Sequence, residues 1–163
     1  MPRKIFIAIL LMLTLLWTAF IFSNSLDTAK ESSDKSTNVT EVVNKVASSV
    51  GIKEEIPHHK VRDMAHFTEF LVLACLVCSD LLLILHKKLR PLLWHILCPV
   101  GSVAICFLLA CVDELLQKTS DGRASQFSDI TLDTLGAACG ALALCASLAL
   151  INVAVLYIKR KKE

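Results

Sequence analysis

Four apolar runs set the pattern of this chain: residues 5–22, 64–85, 91–112 and 134–158. At about 1.5 Å per helical residue, each can cross a hydrocarbon core of about 30 Å, the first narrowly and the last with length to spare. A soluble domain of 163 residues would not carry four such runs. The pattern predicts an all-α fold, an integral membrane four-helix bundle. Residues 23–62 break it, being rich in Ser, Thr, Lys and Glu. Within them Val39, Val42, Val43, Val46 and Val50 recur at helical spacing on one face. Asn38 with Glu41 would cap the start of that helix and Gly51 would end it. Valine is a weak helix former, so the face needs a support: the membrane surface or the ends of the spans.

The N-terminus, Pro2-Arg3-Lys4 before an apolar run, has the outline of a signal peptide. The run is longer than a usual signal core, and no Ala-x-Ala cleavage site follows it, the next residues being Ser23, Asn24 and Ser25. An uncleaved first span is the expectation. The chain then divides into residues 1–22 as a first transmembrane helix, 23–62 as an extracytoplasmic loop with an amphipathic helix, and 63–163 as a three-span core.

Composition agrees, with 55% hydrophobic and 20% charged residues and a net charge of +2. The bases flank apolar runs and report orientation, with no nucleic-acid signature. Nine of the 17 Lys and Arg lie in short segments on one side: Arg3, Lys4, Lys87, Lys88, Arg90, Lys159, Arg160, Lys161 and Lys162. The rest are spread among acids on the other side. The positive-inside rule therefore puts both termini and the turn at 86–90 in the cytoplasm, and residues 23–62 and 117–130 outside. The seven cysteines all fall within apolar runs, so they read as small packing residues. Cys75 and Cys78 form CxxC, but inside a span and without two further ligands at matching spacing.

Polar groups gather at the outer ends of three spans. Arg62, His66 and Glu69 share a face of the second span. Asp113, Glu114 and Gln117 close the third, and Asp129 and Asp133 open the fourth, with Asp121-Gly122 as a turn and Arg123 between them. Asp80 lies deep at the other end, near His86, Lys87 and Lys88, which would neutralise it. Each charge held at a helix centre costs roughly 2.5–3.5 kcal/mol, less near the interface, so such clustering asks for a reason. Polar residues can also simply bond helices together, and acids favour helix N-termini, as Asp129 and Asp133 do. Glu69, Asp113, Glu114, Asp129 and Asp133 outnumber Arg62 and Arg123 even if His66 is charged. Crowded carboxylates hold protons, face water or share a cation. Oxygen ligation would suit Mg²⁺, Ca²⁺ or Mn²⁺, and His66 would admit a transition metal. Gly136 to Gly140 forms GxxxG, which lets another helix approach closely, here within the chain.

These residues resemble the VanZ-like family of small bacterial integral membrane proteins. The resemblance rests on His66-Phe67-Thr68-Glu69-Phe70, on Asp113-Glu114-Leu115-Leu116-Gln117, and on Arg123, Asp129 and Asp133 before Gly136-x-x-x-Gly140. Phe70 stands where a tyrosine is common. The resemblance implies a multi-pass protein of the cell membrane, tied to the cell envelope and to low-level resistance to the glycopeptide teicoplanin. It implies no established reaction.

Three classes of function are open. A binding protein would hold a lipid head group or envelope precursor in the outward site, with Arg62 and Arg123 clamping phosphate and Gln117, Asp129 and Asp133 around them. An intramembrane enzyme acting on a lipid-linked phosphate or glycan would use His66 or Glu69 as base, with Asp113 and Glu114 as acid or metal ligands. A proton-coupled carrier is the weakest, since no internal repeat is visible. The sequence names no substrate, ion or oligomeric state.

Overall fold

The computed structural model describes residues 3–52, 54–86, 90–123 and 126–161. The described residues form five α-helices and no strand: α1 Arg3–Ser25, α2 Ala29–Ser49, α3 His58–Leu85, α4 Pro91–Thr119 and α5 Phe127–Arg160. All but α2 are long and apolar enough to cross a membrane. The apolar runs understate them. α3 starts at His58, ahead of Met64, and α4 runs past Val112 through Asp113, Glu114 and Gln117. The polar ends continue the helices because their side chains find partners inside the protein.

α3 is the central element and touches the other four. Its Phe70, Leu73, Ala74 and Val77 bury against Ile21 of α1, Cys106 and Ala110 of α4, and Ala137 of α5. Fully burying a side chain of the Leu or Phe class is worth about 1.5–3 kcal/mol in water. Within a bilayer the gain comes instead from close packing. α5 shows how. A Cβ on Gly136 would overlap the carbonyl oxygen of Phe67 and stand 3.1 Å from its carbon. One on Gly140 would overlap the carbonyl oxygen of Leu71, 3.0 Å from its carbon. The GxxxG pattern thus serves contact within the chain, and it makes α3 and α5 parallel neighbours. α1 runs antiparallel to α3, tied by Thr14 to Asp80 at one level and Asn24 to Glu69 at another. The outward faces of α1, α4 and α5 leave Leu15, Leu16, Leu108, Leu142 and Leu150 exposed, the surface a lipid chain would cover.

One sequence expectation changes here. The amphipathic helix starts at Thr28, not Asn38. Thr28 Oγ1 accepts from the Glu31 amide at 3.3 Å, and the Glu31 carboxylate accepts from the Thr28 amide at 2.9 Å. This reciprocal box satisfies two end donors at once, which Asn38 with Glu41 does not do. Of the two supports expected for the valine face, the span ends do not cover it, since Val39, Val42, Val46 and Val50 are exposed, a face free to meet a membrane surface. α2 is tied to the bundle through polar contacts, with Asn44 bonded both ways to the backbone of Ile56 and Ser36 2.7 Å from His58 Nε2. Asp80 is buried and accepts a 2.7 Å hydrogen bond from Thr14, so an α1 hydroxyl serves it. Lys87 and Lys88, expected to neutralise it, lie outside the described residues, as do most of the basic turn at 86–90 and Lys162. Gly51 and Gly122 have φ of 91° and 75°, where a side chain would be strained, and they end α2 and turn the chain after Asp121 as expected.

Candidate functional site

Helix ends at the α3 N-terminus, the α4 C-terminus and the α5 N-terminus meet at one level. There His66, Asp113 and Asp133 bring a ring nitrogen and two carboxylate oxygens within 4.8 Å of one another. Asp113 and Asp133 are fully buried, and the His66 side chain is 13% exposed. Burying a carboxylate is costly unless donors replace its water. Asp113 has them: the Ser25 hydroxyl donates to one oxygen and Gln117 Nε2 to the other at 2.8 Å. Asp133 does not. Neither of its oxygens finds a donor among the described residues. His66 Nδ1 stands 3.8 Å away, too far for a hydrogen bond, and is itself unpartnered.

Other acids are placed differently. Glu114 turns to the start of α5, where one oxygen accepts from the Gln126 amide at 2.9 Å. Gln126 is the N-cap residue of α5 and makes no side-chain cap of its own, so Glu114 supplies the anionic partner that a helix N-terminus favours. Its other oxygen is buried without a donor, as is Gln117 Oε1. Glu69 is half-buried and accepts from Asn24 Nδ2 at 3.2 Å. Asp129 pairs with Arg62 at 3.6 Å. Among the described residues it is the one acid of this group with an arginine so close.

Arg123 does not pair with the buried acids. Its Nη1 donates to the carbonyls of Asn24 and Ser25 at 3.0 and 3.4 Å, closing the C-terminus of α1. Burial pushes its pKa below the usual arginine value, and the neighbouring Arg62 pushes it the same way. Two guanidinium groups therefore share one region. They line two spaces beneath α2. A cleft of about 570 Å³ also has Lys35, Asn24, His66 and Glu69 on its walls. A smaller cup of about 200 Å³ also has Ser32, Ser36 and His58.

The expected residues therefore separate into three groups. His66, Asp113 and Asp133 form a buried knot, braced by Gln117. Arg62, Glu69 and Arg123 face the cleft, with His66 between knot and cleft. Glu114 serves α5, and Asp129 serves Arg62. Sequence reasoning missed α1 altogether as a contributor: Asn24 holds Glu69, Ser25 holds Asp113, and Trp17 Nε1 donates to the Glu69 carbonyl at 3.0 Å. The signal available was Asn-Ser directly after an apolar run. Ser36 and His58 were missed as well, being single polar residues in a polar stretch.

The model of one protein family, described as VanZ/LLP1, matches residues 9–151. Searches of curated proteins and of solved structures return no match. The matched region takes in the knot and cleft ends of all four apolar helices and every residue of the knot and cleft, and the chain belongs to the VanZ/LLP1 family of membrane proteins, crossing the bilayer more than once.

Proposed function

We propose that this protein sits in the cell membrane with both termini in the cytoplasm, and that the cleft beneath α2 opens outward to bind a phosphate-bearing lipid head group or envelope precursor. The observation that carries the reading is the pairing of Arg62 and Arg123 around one region, with Ser32, Ser36 and His58 beside them. Two guanidinium groups held near each other repel, and while Asp129 meets part of the Arg62 charge, Arg123 is bonded to carbonyls alone among the described residues. An anion that accepts from both relieves the repulsion, and phosphate matches the fork of guanidinium donors. The exposed valines of α2 would lie on the outer leaflet beside the opening. Occupancy of an envelope precursor would alter its access to a glycopeptide, which is the route we infer to teicoplanin-like tolerance.

A second reading makes the site an intramembrane enzyme on a lipid-linked phosphate or glycan. It draws on His66 and Glu69, a candidate base pair of groups lining the same cleft as the arginines. Mass spectrometry of lipids that co-purify with the protein tests both. A phosphate-bearing lipid retained by the native chain and lost from an Arg62→Ala, Arg123→Ala double variant supports the site. Turnover of that lipid by the purified protein selects the enzyme. Retention of the same lipids by the double variant would refute both.

A further inference from the structure

The knot below the cleft has a chemistry of its own. Its unpartnered buried atoms are Asp133 Oδ1 and Oδ2, His66 Nδ1 and, on the bracing residue, Gln117 Oε1. The three oxygens are all acceptors. The Gln117 amide is oriented by its donation to Asp113, so Oε1 is the atom left over. A group that satisfies this set must bring positive charge or donors, the opposite of what the arginines ask for above it. A buried acceptor without a donor costs about 1–3 kcal/mol, and more where it is charged, so a set of this size calls for a partner.

We propose that His66, Asp113 and Asp133 bind one divalent transition cation, of the Zn²⁺ or Mn²⁺ class, through one imidazole nitrogen and two carboxylate oxygens. Three atoms no more than 4.8 Å apart all lie within about 2.8 Å of a common centre. Coordination at about 2.0–2.2 Å then asks each side chain to move by less than about 1 Å. The ligands come from α3, α4 and α5, whose backbones are already fixed by the Gly136 and Gly140 contacts and by the core. Two carboxylates and a divalent ion are neutral together, which suits a site shielded from water. The imidazole nitrogen favours a transition metal over Mg²⁺ or Ca²⁺. The Ser25 hydroxyl and Gln117 Nε2 hold Asp113 by lone pairs that leave others for the ion, in the way outer partners orient a metal ligand.

This site stands apart from the head-group reading, and its test needs no lipid. The full chain is purified in detergent, stripped with a chelator and titrated calorimetrically with Zn²⁺ and with Mn²⁺. The expected result is saturable binding of one ion per chain. His66→Gln and Asp133→Asn should each weaken it by more than roughly tenfold, the lower end of what even an outer partner contributes. Asp34→Asn, at an exposed position of α2, should change nothing. If either ligand variant fails to fold, X-ray absorption on the Zn²⁺-loaded native protein decides: one imidazole among oxygen ligands supports the site, and an all-oxygen shell overturns it. No saturable binding by the native chain also overturns it. Loss of lipid from the arginine variants with metal binding intact would separate the two sites.

Discussion

Gly136 lies against the backbone of Phe67, so near that a Cβ would overlap the Phe67 carbonyl oxygen. That contact fixes more than packing. His66 is the residue before Phe67, and Asp133 lies one helical turn before Gly136. The same crossing that lets α3 and α5 touch therefore brings the imidazole and the carboxylate to 3.8 Å. Gly140 on Leu71 repeats the contact one turn deeper and sets the helices parallel. The register of the candidate site is thus set by two missing side chains.

Gly136→Ala tests this. In an open helix, Ala would be favoured over Gly by about 1 kcal/mol. Here the added methyl meets a backbone carbonyl inside a helix, which cannot swing away as a side chain can. Overpacking costs about 1–3 kcal/mol where neighbours can adjust, and this site belongs at or above the upper end. The expected outcome is a net loss of stability, read as a lower midpoint of thermal unfolding in detergent. Gly101→Ala is the control, since its Cβ would meet only a Leu81 methyl at 3.4 Å. Equal behaviour of the two variants would show that the α3–α5 crossing is looser than the glycine contacts require.

Asn24 gives a second test, on the contribution of α1. Asn24→Ala removes the donor to Glu69 and leaves a half-buried carboxylate with one partner fewer. The expected cost is about 1–2 kcal/mol. Asn24→Asp should cost more, because it sets a second carboxylate where the donor stood. The carbonyl of Asn24 still accepts from Arg123 in both variants, so the end of α1 stays closed. Trp17, bonded to the Glu69 carbonyl, provides a fluorescence readout close to the change. If alanine and aspartate prove equivalent, the Asn24–Glu69 bond does not matter to the fold.

The spans were legible because a run of about 20 apolar residues is seldom anything but a membrane helix. The polar cluster was legible because acids at span ends are costly and these shared one level. Partners remote in sequence were not. Asn24 and Glu69 are 45 residues apart, and Ser25 and Asp113 are 88 apart. A lone Asn or Ser at a helix end suits the interface whether or not it meets a carboxylate, so its own identity carries no pointer to a partner. Thr14 and Asp80, 66 residues apart, are the same case at the other end. The start of α2 was misplaced for a different reason. Thr28-x-x-Glu31 and Asn38-x-x-Glu41 both fit a capping pattern, and the valines drew the boundary to the second. What separates them is that the chain leaves α1 at Ser25 and turns within three residues, which hydropathy does not show.

Orientation decides which compartment the cleft serves. The excess of Lys and Arg beside the 86–90 turn and at both ends predicts cytoplasmic termini. A reporter inserted at Ser33, near the start of α2, should then give an external signal, and one fused after the last residue a cytoplasmic one. The reversed pattern would put the cleft in the cytoplasm and remove the link to envelope precursors.

Glu69→Gln and Glu114→Gln separate a site that uses charge from one that only holds helices together. A glutamine keeps the carbonyl oxygen each position uses now. At 69 it still accepts from Asn24, and at 114 it still accepts from the Gln126 amide. Both variants should therefore fold, with membrane abundance near that of the native chain and unfolding shifted by no more than about 1 kcal/mol. Their functions should part. Glu69 lines the cleft with His66, so losing its charge changes the field that a bound phosphate or a transferred proton meets. Glu114 lies at the head of α5, so losing its charge weakens a favourable helix-end interaction, about 0.3–1 kcal/mol, without touching the cleft. The expected outcome is lipid retention or glycopeptide susceptibility altered in Glu69→Gln and nearly unchanged in Glu114→Gln. Normal function in both would mean that the charge of Glu69 is not used. Impairment in both, in stable and abundant protein, would mean that the α5 terminus belongs to the working site and that Glu114 acts as more than its cap.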